Sequence, residues 1–300
     1  MDQAPRATSA DYQLSGQVAW LLPLFIGSGC AALIYEIIWF QSLQLIVGAS
    51  AISLGVLLST FMGGLCLGSL LLPRVVPHSW HPLRVYAVLE LGIALAAVIL
   101  LYQLPSVGDF YVRSFASSNA KGWQTSVFLR AGIAGACLLP PTILMGGTLP
   151  AIARWFRSTP SGIANTGFFY SANIFGAVFG CLMASFYLLR VHDMVFATQV
   201  AVGINIAVAG IALLASRRLC YVPVPTDRQS LPKKSLSSLV AFLAIGLSGF
   251  AALGAEVVWT RELSLLLGAT VYTFSLILAV FLIALGLGSV LGATWSRRTS

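Results

Sequence analysis

Residues 28–71 read SGCAALIYEIIWFQSLQLIVGASAISLGVLLSTFMGGLCLGSLL and carry a single charged side chain, Glu36. About 20 apolar residues in a helix cross the hydrocarbon core of a bilayer. The stretch therefore holds two membrane helices joined at residues 47–50. The runs are continuous, without the apolar–polar alternation of a barrel strand. The reading is helical.

Outward from this stretch the pattern repeats along the chain. Spans are expected at 18–46, 51–73, 83–104, 126–146, 166–189, 194–216, 236–260 and 270–294. The fold class is an all-α polytopic helical bundle of about eight transmembrane helices. Of 300 residues, 58% are hydrophobic and 9% charged, where a soluble domain carries about 25% charged residues. Mean hydropathy is +0.90. So apolar a chain cannot cover its own surface in water, which excludes a soluble catalytic domain and makes the lipid bilayer its first partner.

The net charge of +8 does not point to nucleic acid, because the basic residues sit between spans and not along one stripe. Arg74, His78, His81 and Arg84 follow the second span, and Arg154 and Arg157 the fourth. Arg217, Arg218, Arg228, Lys233 and Lys234 follow the sixth, and Arg297 and Arg298 the eighth. Positive charge recurs at every second loop, which places both termini in the cytoplasm of a bacterial inner membrane. Residues 1–17 form a cytoplasmic tail, 18–216 a six-helix bundle, 217–235 a basic cytoplasmic linker, and 236–300 two further helices. The segment 105–125 is the longest external loop and a site for a short interfacial helix. Cys30, Cys66, Cys137 and Cys181 lie in apolar spans without CxxC spacing, so they read as packing residues and not as a disulfide framework or zinc site. No cofactor or metal motif is expected.

Residues 28–71 align without a gap to 248–291 at an offset of 220. The shared positions include Gly29/Gly249, Glu36/Glu256, Trp39/Trp259, Gly48/Gly268, Phe61/Phe281, Gly68/Gly288 and Ser69/Ser289. Six spans separate the copies, and an even number preserves direction. The repeat is parallel, transporter-like, with six helices per unit and the second half incomplete. The pattern predicts four more helices beyond residue 300.

Four stretches carry a family resemblance: SGCAALIYEIIWFQSL at 28–43, LLPPTILMGGTLPAIARW at 138–155, FYSANIFGAVFGC at 169–181, and SGFAALGAEVVWTRELSLLLGATVYTFSLILAVFL at 248–282. The chain resembles the membrane part of the fused major-facilitator/spermidine-synthase-like family. The resemblance implies a major-facilitator-like bundle followed by a cytosolic aminopropyltransferase-like domain of methyltransferase-type fold. Any spermidine synthase-like activity is expected in that domain and not in residues 1–300.

Glu36 and Glu256 lead the candidate residues. Each stands in an apolar run towards the outer end of its span, with Trp39 or Trp259 three residues on. Positions i and i+3 share a helix face, and a carboxylate beside an indole suits a cationic or amine ligand. The alternative is a structural ion pair, for which Arg130 is the candidate charge partner; Arg130 also reads as a side chain reaching the external headgroups. Glu90 is placed to face Arg84 or Arg154. Gly64 and Gly68, Gly176 and Gly180, and Gly288 and Gly292 are each four apart, the spacing that lets helix backbones approach. Pro140–Pro141 and the Gly146–Pro150 stretch read as the cytoplasmic end of the fourth span or as a broken helix at a site. Asn173 reads as a hydrogen-bonding residue between helices, with Asn165 the other polar candidate.

Three functional readings remain. One is a module that binds or transports a small cationic solute such as a polyamine. Another is a membrane anchor for an aminopropyltransferase. The third is a structural subunit of a larger membrane complex or homo-oligomer.

Overall fold

The computed structural model describes residues 21–47, 51–77, 79–115, 123–156, 162–219, 221, 236–268 and 270–299. Eight helices account for nearly all of them: α1 (Leu22–Val47), α2 (Ala51–Val75), α3 (Pro82–Phe115), α4 (Trp123–Phe156), α5 (Gly162–Met183), α6 (Met194–Arg218), α7 (Leu236–Leu267) and α8 (Val271–Thr299). After Met183, α5 runs on through a π-helical stretch, Ala184–Leu188, and one more turn, Leu189–Val191. Each helix contains a segment long and apolar enough to cross a membrane. The chain is a polytopic helical bundle and a multi-pass membrane protein in character. Helices suit lipid because they satisfy every backbone donor and acceptor within one segment.

The helices exceed the expected spans in three places. α3 continues to Phe115, so residues 105–115 extend a membrane helix where a loop was expected. α7 continues to Leu267. α4 passes through Pro140, Pro141 and Pro150 without a break, so neither the proline pair nor Gly146 ends it. Lipid offers no water to compete for the freed carbonyls, and hydroxyls can engage those nearby. Thr142 donates to the carbonyls of Leu138 (3.0 Å) and Leu139 (2.9 Å), and Thr148 to that of Met145 (2.7 Å).

The first six helices pack in a pattern with internal symmetry. α1 lies on α5 and α6, α4 lies on α2 and α3, and α3 meets α6. Exchanging α1 with α4, α2 with α5 and α3 with α6 carries these contacts onto one another. Three steps along a chain of spanning helices reverse direction, so this is the contact pattern of an inverted repeat nested in the six-helix unit. Both symmetry-related crossings are built on glycine. A Cβ at Gly64 would strike Thr142, one at Gly68 would strike the Ile143 carbonyl, and one at Gly146 would strike Leu65. Across the other crossing, Gly176 abuts the backbone of Ile26, Gly180 that of Cys30, and Gly29 that of Asn173.

α8 rests on α5, while α7 touches α8 and α2. Here two expected packing residues are corrected. Gly288 and Gly292 have no described neighbour; Gly286 meets Ile174, and Gly167 of α5 meets Ala293. Gly68 has its close neighbour because α4 covers it, whereas no described helix takes that place against Gly288. The loop glycine of the second copy behaves as its sequence suggests. Gly268 has φ +91°, the left-handed conformation that ends helices and that glycine adopts without a Cβ penalty. Its counterpart Gly48 lies outside the described residues.

Candidate functional site

Glu36 lies near the middle of α1. The helix midpoint falls between residues 34 and 35, and at 1.5 Å per residue Glu36 is about 2 Å past it. The midpoint of α7 falls between residues 251 and 252, so Glu256 is about 7 Å past it. Glu36 is thus more central than the sequence suggested, because α1 begins at Leu22 and not at residue 18.

Glu36 is 2% exposed, Glu90 1% and Glu256 5%. Glu36 and Glu90 both line one cavity of about 220 Å³ enclosed by α1–α6 and α8, whose polar lining also includes Ser28, Thr148, Tyr170, Asn173 and Asn205. At about 30 Å³ per water this space holds roughly seven waters, which limits it to a small solute. No described Lys, Arg or His lines it. The Ser28 hydroxyl donates to Glu90 Oε1 at 2.5 Å. Beside Glu90, the Tyr86 hydroxyl donates to the Leu24 carbonyl at 3.3 Å. Asn173 Nδ2 donates to the Phe25 carbonyl at 3.1 Å, which joins α5 to α1 as the sequence suggested. Among the described residues, the buried oxygens without a hydrogen-bond partner include Glu36 Oε1, Glu90 Oε2, Asn205 Oδ1 and Glu256 Oε1. A buried polar atom without a partner costs about 1–3 kcal/mol, more when charged. Several together, on residues in or beside one cavity, mark a place for a ligand.

Glu256 reaches this region from α7. It lies within charge range of Glu36, and Cys181 of α5 lies within range of both. Cys181 Sγ donates to the Ser275 carbonyl at 3.4 Å. One turn on, in the π-helical stretch, the hydroxyls of Ser185 and Ser275 hydrogen-bond, pinning α5 to α8.

The two tryptophans stand apart from the carboxylate cavity. Trp39 stacks on Tyr35 at 5.4 Å and lines a separate apolar cavity with Ile38, Met194 and Thr198. The middle of α1, residues 28–40, is buried almost throughout, so residues three apart, some 60° around the helix, face different neighbours. Trp259 is 57% exposed on the outer face of α7. Neither supplies the cation–π wall that the Glu–x–x–Trp spacing suggested. The side chains of Arg130 and Asn165 lie outside the described residues. Glu90 faces Ser28 and not Arg84 or Arg154; Arg154 donates to the carbonyls of Leu72, Val76 and Pro77.

Family models, curated proteins and solved structures give no match to this chain.

The site is therefore defined by its own geometry. Sequence reasoning ranked Glu90 below Glu36 and Glu256 and did not single out Ser28, Tyr170 or Asn205. Glu90 and Asn205 carried a usable signal, since each is an isolated polar residue in an apolar run.

Proposed function

We propose that this chain binds a small organic cation of the diamine or polyamine class in the cavity lined by Glu36 and Glu90 and carries it across the membrane. One observation carries the reading: two buried glutamates, Glu36 and Glu90, each with a carboxylate oxygen that has no hydrogen-bond partner, line one cavity that no described basic residue lines. Two carboxylates facing a small space suit a ligand with two ammonium groups, which also donate to the free oxygens and amides around them. The parallel repeat at an offset of 220 and the inverted contact pattern of α1–α6 support a transporter plan over a passive anchor. The likeness of residues 28–43 and 248–282 to the spermidine-synthase-like fused family accords with an amine as the solute. The alternating basic loops support cytoplasmic termini in a bacterial inner membrane.

Equilibrium binding of labelled putrescine and spermidine to the purified chain in lipid nanodiscs tests the reading. Saturable binding that competes between the two amines supports it. Absence of binding by a folded protein overturns it and returns the anchor and subunit readings.

A further inference from the structure

α7 exposes apolar side chains around almost its whole circumference, as a lipid-facing helix does. Among its described side chains only two are fully buried, and both are polar: Glu256, 5% exposed, and Thr260, 6% exposed. They are four residues apart and so share one face. Glu256 Oε1 and Thr260 Oγ1 both lack a hydrogen-bond partner. Half-buried Val257 packs on the core beside them, but the two most deeply buried groups of the contact are unsatisfied oxygens, and in lipid each such oxygen is costly. Arg261 and Glu262, the next charged residues, are exposed and do not compensate them. The repeat sharpens the point. At the position of Thr260 the first copy carries Phe40, which packs on Phe274 at 4.3 Å between ring centres. The second copy keeps the glutamate and replaces the aromatic ring with a hydroxyl.

We infer that Glu256 and Thr260, together with Glu36 of α1, form a binding site for a small monovalent metal cation of the sodium class. Glu36 Oε1 is the third buried, unpartnered oxygen, and it lies within charge range of Glu256. Carboxylate and hydroxyl oxygens are hard ligands. Magnesium keeps several waters and calcium takes six to eight oxygens, whereas this contact offers a few oxygens between apolar helices. Neither Glu256 nor Thr260 lines the 220 Å³ cavity, so this place is distinct from the one proposed for the organic amine. Glu36 belongs to both places, which ties occupancy of the ion site to occupancy of the cavity. The inference shares with the proposed function only the reading of these carboxylates as cation ligands.

The test uses sodium alone, without amine. Thermal unfolding of the purified full chain is followed in sodium chloride and in choline chloride of equal ionic strength. Sodium raises the melting temperature and choline does not, since a ligand that binds the folded state stabilises it. Glu256→Gln and Thr260→Val each weaken the apparent sodium affinity by about tenfold or more, the size expected for one lost ligand to a charged group, while Thr260→Ser retains it. Where Glu256→Gln does not fold, the Thr260 pair carries the test. Equal melting in sodium and choline overturns the inference, as does a sodium effect that survives both substitutions. A pH-dependent, sodium-independent response assigns the pair a shared proton and also overturns it. Sodium binding without amine binding leaves this inference standing and the proposed function overturned, and the reverse result does the opposite.

Discussion

Ser28 and Glu90 are 62 positions apart in sequence, yet the serine hydroxyl meets the glutamate carboxylate at 2.5 Å in the buried centre of the bundle. This contact ties α1 to α3 and holds one carboxylate oxygen of a residue that lines the cavity, while the other oxygen has no hydrogen-bond partner. Ser28→Ala strands a buried acceptor. Hydrogen bonds to charged groups contribute about 1.5–3 kcal/mol, and unfolding in detergent should show a loss of that order. Amine affinity should fall as well, because Glu90 loses the partner that orients it.

The glycine crossings differ in a way that stability measurements can read. Gly68→Val and Gly180→Val push a side chain into the backbones of Ile143 and Cys30. Overpacking costs about 1–3 kcal/mol, and more where backbone must move. Gly288→Val, in open space, should change the melting temperature little. A loss at Gly288 as large as at Gly68 would mean that this face of α8 is covered in the folded protein.

Asp193 caps α6, accepting from the Phe196 backbone N–H at 2.8 Å. Asp193→Ala should cost about 1 kcal/mol, and Asp193→Asn much less, because asparagine caps nearly as well. Chemical unfolding of the two variants side by side checks this. Equal losses would assign the effect to the charge and not to the cap.

Topology is testable without a structure. In a background lacking native cysteines, Arg228→Cys should react with a membrane-impermeant thiol reagent from the cytoplasmic side, and Ser118→Cys from the outside. The same sidedness for both would remove the positive-inside argument.

The eight helices were legible because their signal is run length: a lone Glu36 in 44 residues leaves no other reading. What lay hidden was rotational. In lipid an apolar side chain gains as much outside the bundle as inside it, so nothing in the sequence distinguishes Trp259 on the lipid face from Trp39 in the core. The same indifference made Gly288 look like Gly68. The prolines of α4 misled because rules learned in water treat a lost donor as a terminus. Glu36 and Glu256 were legible as single charges in apolar runs. The partner of Glu90 was not, because spacing along one helix does not say which helix faces it. Arg84 and Arg154 seemed natural partners, but Arg154 engages the carbonyls at the end of α2.

The central claim is that Glu36 and Glu90 together hold a small organic cation of the diamine or polyamine class. Its most direct test is the spermidine affinity of the purified chain beside Glu36→Gln, Glu90→Gln and the double substitution, each with its melting curve. Each single change should weaken binding by about tenfold or more while unfolding stays cooperative. The double variant should show no saturable binding. Spermidine affinity unchanged in the double variant would contradict the claim.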